Sequence, residues 1–175
     1  GAQDFDTYKG RPRWTDGIAR TLVDWFKNPE SPLLFKTSGS SGAPREISHA
    51  RESVISSAED TIKFFGLRPG TRIAFALPID FVAGRLMLVR AIVGGLNLEI
   101  IEPSSCPSFT NPVDFIALTP LQCSALLIDF PVVSKVLLGG GGVSEGLKIK
   151  LPKEIEFWEG FGMTETITHI AVRRV

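Results

Sequence analysis

The sequence predicts an α/β fold, a largely parallel sheet flanked by helices. Three observations lead there. Short apolar runs of strand length alternate with segments of helical period along most of the 175 residues. The breaks between them fall on glycine and proline, which number 17 and 12. The composition, 43% hydrophobic and 22% charged, is that of a globular chain and excludes general disorder. A chain of this length suits one domain, or one and a small piece.

Taken in order, Thr15 and Asp16 can cap a helix running to Asn28, with Ile18, Leu22, Trp25 and Phe26 as its apolar face. Residues 33–36 are a short apolar run before a Gly/Ser loop at 37–44. Ser48 starts a second helix, with Val54, Ile55, Ala58, Ile62 and Phe65 on one side. Gly66 and the Pro69-Gly70 pair end it. Residues 71–77 read as a buried strand bounded by Pro78. A helix carrying Leu86, Val89, Arg90 and Val93 stops at Gly94-Gly95, and 98–101 is a strand. After a Pro/Ser loop at 103–112 come a strand at 115–118 and a helix at 120–127 with proline at its start. Strands at 135–138 and 155–158 run into Gly139 and Gly160.

Composition also narrows the function. Lys+Arg and Asp+Glu are both 19, so no basic excess advertises nucleic acid or an anionic membrane. Cys106 and Cys123 are too few for a disulfide scaffold and lack metal-ligand spacing; buried thiols in a reducing compartment are expected. No apolar run approaches the ~20 residues of a membrane span, and no signal peptide opens the chain. A soluble cytoplasmic protein is expected.

In open α/β sheets ligands collect at the carboxyl ends of strands, so the loops leaving those ends are the places to look. Three stand out. The first, KTSGSSGAPR at 36–45, joins Gly39 and Gly42, whose N–H groups can approach an anion closely, to the hydroxyls of Thr37, Ser38, Ser40 and Ser41. Arg45 adds a permanent, forked charge suited to phosphate. It is not G-x-x-x-x-G-K-[ST], and on composition alone a flexible surface loop fits equally well. The second, LLGGGGVS at 137–144, lets a flat ring lie against the main chain; a plain strand-to-helix turn has the same composition. It lacks the dinucleotide fingerprint. The third, GFGMTET at 160–166, sets a carboxylate beside a hydroxyl, a pairing that can hold Mg²⁺ near a phosphate. A capped helix start would use the same residues.

Together and in this order, TSGSSGAPR at 37–45, LLGGGGVS at 137–144 and GFGMTE at 160–165 resemble the signatures of the adenylate-forming acyl-CoA synthetase superfamily. Between them, FVAGRLMLVRAIVGGLNLEIIEPSS at 81–105, DFIALTPLQ at 114–122 and GMTETITHIA at 162–171 resemble the o-succinylbenzoate–CoA ligase family of menaquinone biosynthesis, in its compact Bacteroidetes form. The likeness runs from Trp14 onward.

The resemblance implies a two-step reaction: ATP and an acid give an acyl-adenylate, and CoA then displaces AMP. It implies that Thr37, Ser38, Gly39, Ser40, Ser41 and Gly42 wrap the β- and γ-phosphates, with Arg45 at the family's lysine position. Thr164 would bind phosphate and act with Glu165 in catalysis, Glu165 holding Mg²⁺. Gly139, Gly140, Gly141 and Gly142 would lie against adenine or acid, with Phe161 stacking near the base and Gly162 and Met163 beside it. Phe81 falls at the gate of the acid pocket, and Gly84 and Arg85 line it. The family's acid carries a second carboxylate, and Arg90 matches the position that meets it, with Arg85, about one helical turn away, as a second candidate. From the residues alone, Arg90 on an apolar helix is either a snorkelling surface group or a partly buried anion partner. His49 reads as helix-start packing and His169 as structural, with the acid pocket as its other place.

Two departures stand out. Glu46 replaces a glycine, and the family's T-G-D segment, hinge and C-terminal domain do not occur before Val175. Residues 1–175 are therefore expected to be a truncated ATP- and acid-binding N-terminal domain. An acid–CoA ligase core using ATP, Mg²⁺ and CoA is the first reading; a nucleotide- or acyl-binding module without turnover is the second. Neither involves nucleic acid or membrane.

Overall fold

The computed structural model describes residues 12–37, 45–167 and 169–175. A 3-10 turn, Arg13–Thr15, leads into α1, Asp16–Lys27. β1 (Leu33–Lys36) and β2 (Glu46–His49) pair antiparallel as a small sheet of their own. Then come α2 (Arg51–Phe65), β3 (Arg72–Phe75), α3 (Val82–Gly94) and β4 (Asn97–Ile100). β5 (Val113–Leu118), α4 (Pro120–Leu126), β6 (Val133–Leu138), α5 (Glu145–Lys148), β7 (Glu156–Gly162) and β8 (His169–Arg174) follow. The main sheet has the order β4-β3-β5-β6-β7-β8. Its first five strands are parallel and β8 runs antiparallel to β7. This is the mixed α/β layout, mostly parallel and flanked by helices, that the alternation of elements predicts.

Both faces of the sheet are covered, as parallel strands require. Successive residues point to opposite faces. Ile73, Phe75 and Phe115 pack with Ile18 of α1, Phe65 of α2 and Met87, Leu88 and Ala91 of α3. Ala74, Ile116, Leu118, Val136 and Leu138 pack with Cys123 and Leu126 of α4 and Leu147 of α5. α3 is buried on a second side as well. Leu86 and Val89 join Val54 and Ala58 of α2 and Leu33 and Phe35 of the hairpin. That double burial is why its sequence is apolar almost all round. Gly66 and Gly95 end α2 and α3 in the left-handed region, φ 66° and 60°, as their place in the sequence predicts. Gly84 has a packing reason: a Cβ there would fall 2.2 Å from the Pro78 carbonyl oxygen.

Several local expectations are corrected. Ser48 and His49 belong to β2, and the helix starts at Arg51, because Glu46–His49 pair with Leu33–Lys36. That pairing reaches across a loop and leaves no local period. β7 runs through Gly160 to Gly162, and β8, a largely exposed edge strand, was not expected; both follow from their mutual pairing. Phe26 is 58% exposed, because α1 buries Ile18 and Ala19 instead. Cys106 is exposed, and only Cys123 is buried. Among the described residues no helix is long and apolar enough to cross a membrane.

Candidate functional site

β5, β6 and β7 are parallel, so the segments following them emerge at one edge of the sheet. The glycine loop leaves β6 there, its Gly139 N–H donating to the Leu118 carbonyl at the end of β5, at 3.0 Å. Gly140 has φ +77°, a conformation that favours glycine. A Cβ added at Gly139 or Gly142 would meet nothing within 4 Å, so the backbone face there is open to a flat ligand; at Gly141 it would touch only Pro120. The loop is fixed from behind by Glu159 of β7. Its Oε1 accepts the Val143 N–H at 3.0 Å, and its Oε2 accepts from Arg173 Nε at 2.7 Å. The Val143 N–H holds the Glu159 carboxyl below the usual carboxylate range; burial opposes this and Arg173 adds to it. The sequence reading missed Glu159. An acid between apolar Phe157-Trp158 and a motif glycine was the available signal.

The third segment is part strand and part turn. Gly160, Phe161 and Gly162 lie in β7, with Phe161 61% exposed. Thr164–Thr166 form a 3-10 turn, in which the Met163 N–H donates to Thr166 Oγ1 at 3.1 Å. Glu165 is exposed and makes no hydrogen bond or ion pair with another described residue. No group of three or more His, Cys, Asp or Glu side chains able to hold a metal occurs among the described residues. A metal at Glu165 would thus take one carboxylate from this turn and its remaining oxygens from phosphate and water, which suits Mg²⁺.

The first loop hangs from the β1–β2 hairpin. Thr37 N–H donates to Arg45 O at 2.9 Å, and Arg45 N–H donates to Thr37 Oγ1 at 3.1 Å, closing its mouth. Ser38, Gly39, Ser40, Ser41 and Gly42 lie outside the described residues. Two contacts bring the hairpin to the main site. Lys36 forms a parallel bridge with Phe81, the N-cap of α3. His49 Nε2 donates to the Thr164 carbonyl at 2.7 Å. Phe81 is 43% exposed beside that junction.

Arg90 is the least expected feature. It is 2% exposed and has no carboxylate partner among the described residues; Nη1 donates to Met87 Sδ at 3.5 Å, and Nε has no partner among them. Burial lowers its pKa to about 10, so it stays charged at neutral pH. His169 faces that charge. Burial first, and then Arg90, push its imidazole down to about 4. Arg85 differs. Its Nη1 donates to the Leu34 carbonyl and its guanidinium lies over the Phe35 ring at 5.4 Å, tying α3 to the hairpin. Burial lowers its pKa, with Asp80 and Asp24 opposing. A separate groove, lined by Glu52, Ser53, Ser56, Asp60 and Ile167, has only acidic charges and does not suit phosphate.

No protein-family profile matches the chain. A crystal structure of an AMP-forming acyl-CoA synthetase/AMP-acid ligase II-like protein from Dyadobacter fermentans superposes with a TM-score of 0.84 at 30% identity, over 99% of this chain and 53% of that one. The chain has the fold of the N-terminal domain of AMP-forming ligases. O-succinylbenzoate coenzyme A synthetase from Bacillus subtilis, in complex with ATP and magnesium ion, shares the ligase fold at a TM-score of 0.70 and 22% identity, over 81% of this chain and 32% of that one. Homologues in sequence carry the name 2-succinylbenzoate–CoA ligase. The one from Listeria monocytogenes is 25% identical over 167 residues, 89% of this chain and 36% of its own length. The chain thus spans about a third of the length of the curated relatives it matches.

Proposed function

We propose that the chain is the ATP- and acid-binding part of an AMP-forming acid–CoA ligase, and that its acid is o-succinylbenzoate, on the way to menaquinone. A buried guanidinium with no anion among the described residues carries the substrate reading. Burying a charge is tolerated when something pairs with it, and no carboxylate among the described residues pairs with Arg90. An acid with two carboxylates leaves one free to react and offers the other to Arg90. The names of the relatives support the same acid.

In this reading one carboxylate oxygen attacks the α-phosphorus, and the bond to the β-phosphate breaks as pyrophosphate leaves. The CoA sulfur then attacks the acyl carbon and AMP leaves. The protein's task in the first step is to bring two anions together and offset their charge. Thr37, Arg45 and the 38–42 segment hold the polyphosphate, and Thr164 binds beside it. Glu165 holds Mg²⁺, which supplies charge neutralisation when bound. Gly139–Gly142 give the base a flat seat, with Phe161, Gly162 and Met163 at its edge. Phe81, Gly84 and Arg85 border the acid side. A protein that uses ATP and CoA in this way belongs in the cytoplasm, and that location is part of the proposal.

The test compares two acids, o-succinylbenzoate and an analogue lacking the ring carboxylate, in wild type and Arg90→Ala of the full-length protein. The variant raises the KM for o-succinylbenzoate, leaves that for ATP unchanged and erases the preference between the acids. A variant that keeps the wild-type ratio of kcat/KM removes Arg90 from the substrate site.

A further inference from the structure

The 164–167 turn is gripped by two side chains that the chemistry itself does not require. From β2, His49 Nε2 donates to the Thr164 carbonyl at 2.7 Å, a contact spanning 115 residues of sequence. A carbonyl only accepts, so Nε2 carries the proton and the tautomer is set by the partner. The ring is steadied edge-on against Phe35, at 5.7 Å between centroids, and Phe35 is fully buried. From α2, Ser57 Oγ donates to the Ile167 carbonyl at 3.3 Å.

The turn needs holding. Ile167 has φ 55° and is the one non-glycine residue with positive φ among those described. For a β-branched side chain that conformation is a genuine outlier. It persists because the Ile167 side chain is buried with Leu33, Phe35, Val54, Ala58, Leu86 and Val89. Thr164 and Glu165 therefore ride on a backbone whose shape is imposed by the hairpin and α2, not chosen by the turn.

His49 closes a short mechanical circuit. It ends β2 opposite Leu33, so the four-residue hairpin lies between it and the Thr37 and Arg45 that bracket the first loop at the other end. We infer that His49 is a positioning residue for nucleotide binding, holding Thr164 and Glu165 in register with the Thr37–Arg45 mouth so that a triphosphate and its Mg²⁺ are held from both sides. This deepens the proposed function and rests on it. His49 touches no reacting atom; it acts through the Thr164 backbone.

The test uses the full-length protein and reads binding, not turnover. His49→Phe keeps a ring against Phe35 and removes the donor; His49→Gln keeps an N–H at similar reach. Calorimetric titrations measure the Kd of Mg²⁺–ATP, the Mg²⁺ concentration that half-saturates it, and the Kd of o-succinylbenzoate. His49→Phe weakens Mg²⁺–ATP about tenfold, the scale of one hydrogen bond, and raises the Mg²⁺ requirement. The acid Kd stays within about twofold, and His49→Gln recovers most of the ATP affinity. Wild-type Mg²⁺–ATP binding by a folded His49→Phe protein overturns the inference. So does equal weakening of both ligands by both variants together with a lowered Tm, which makes His49 a folding residue. Failure of the wild type to bind Mg²⁺–ATP at all is a distinct result, and overturns the ligase reading along with this one.

Discussion

His169 occupies the space that any side chain on Gly160 would need. A Cβ at Gly160 would fall 2.7 Å from His169 Cδ2 and 3.1 Å from Nε2, with Leu137 Cδ1 also at 3.1 Å. The glycine of the third motif is therefore there to let β8 lay an imidazole beside it, on the side facing Arg90. Gly160→Ala is expected to destabilise the fold by about 1–3 kcal/mol, the usual consequence of overpacking. It should also weaken acid binding, because the displaced ring moves toward Arg90. Urea denaturation and acid titration check both; unchanged stability would mean that the imidazole moves aside freely.

Arg90 gives a prediction of opposite sign for stability and function. Without ligand its charge is buried and has no carboxylate partner among the described residues, so Arg90→Met should stabilise the unliganded protein, by about 1–4 kcal/mol. The same variant should lose acid affinity and its discrimination between acids. Denaturation with and without saturating o-succinylbenzoate separates the two effects. Loss of stability in the unliganded variant would mean that the guanidinium already has its partner.

Two groups make stability depend on pH in adjoining windows. His169 is neutral in the fold down to about 4 but titrates near its ordinary 6.5 when unfolded. The unfolded chain binds the extra proton in between, so stability falls as pH drops from 6.5 towards 4. Glu159 has its pKa lowered in the fold. Its contribution is present above the ordinary carboxylate pKa and is lost as pH falls through the lower folded value. His169→Gln should flatten the stability profile between 6.5 and 4, and Glu159→Gln only below it. Chemical denaturation at stepped pH reads this directly; identical profiles in all three proteins would refute it.

Glu159→Ala leaves the Val143 N–H without its acceptor and Arg173 without its ion pair. A cost of about 1.5–3 kcal/mol is expected, since the lost bonds are charge-assisted. If the glycine loop seats the base, Mg²⁺–ATP affinity should fall more than acid affinity does. Equal loss of both would assign Glu159 to the fold alone.

Arg45→Ala should weaken ATP use by about 1.5–3 kcal/mol and leave the acid nearly untouched, because one charge-assisted contact to phosphate is removed. Steady-state kinetics of the full-length protein with each substrate varied in turn is the check. An unchanged KM and kcat for ATP would return residues 37–45 to an ordinary surface loop.

The sequence alone determined the α/β class, because each element of the main sheet except β8 carries its own local period and its own stops. Gly66 and Gly95 ended their helices where a left-handed cap was required, and Pro120 opened α4. The three loops were legible too, since glycine, hydroxyl and carboxylate chemistry is written in residue type. Tertiary structure decided whatever depends on pairing across distance. Glu46–His49 became a strand only because Leu33–Lys36 lie alongside, and His169–Arg174 only because β7 extends through Gly162. It also decided the state of Arg90. One residue on an apolar helix can snorkel or be buried, and no local pattern separates the two. α3 is packed from two sides, by the sheet and by α2 with the hairpin, so Arg90 is held inside the fold and does not snorkel to the surface. Likewise no spacing in the chain links His49 to Thr164 or Glu159 to Val143. Those bonds exist because the hairpin and the carboxyl ends of β6 and β7 meet in space, which only the folded sheet brings about.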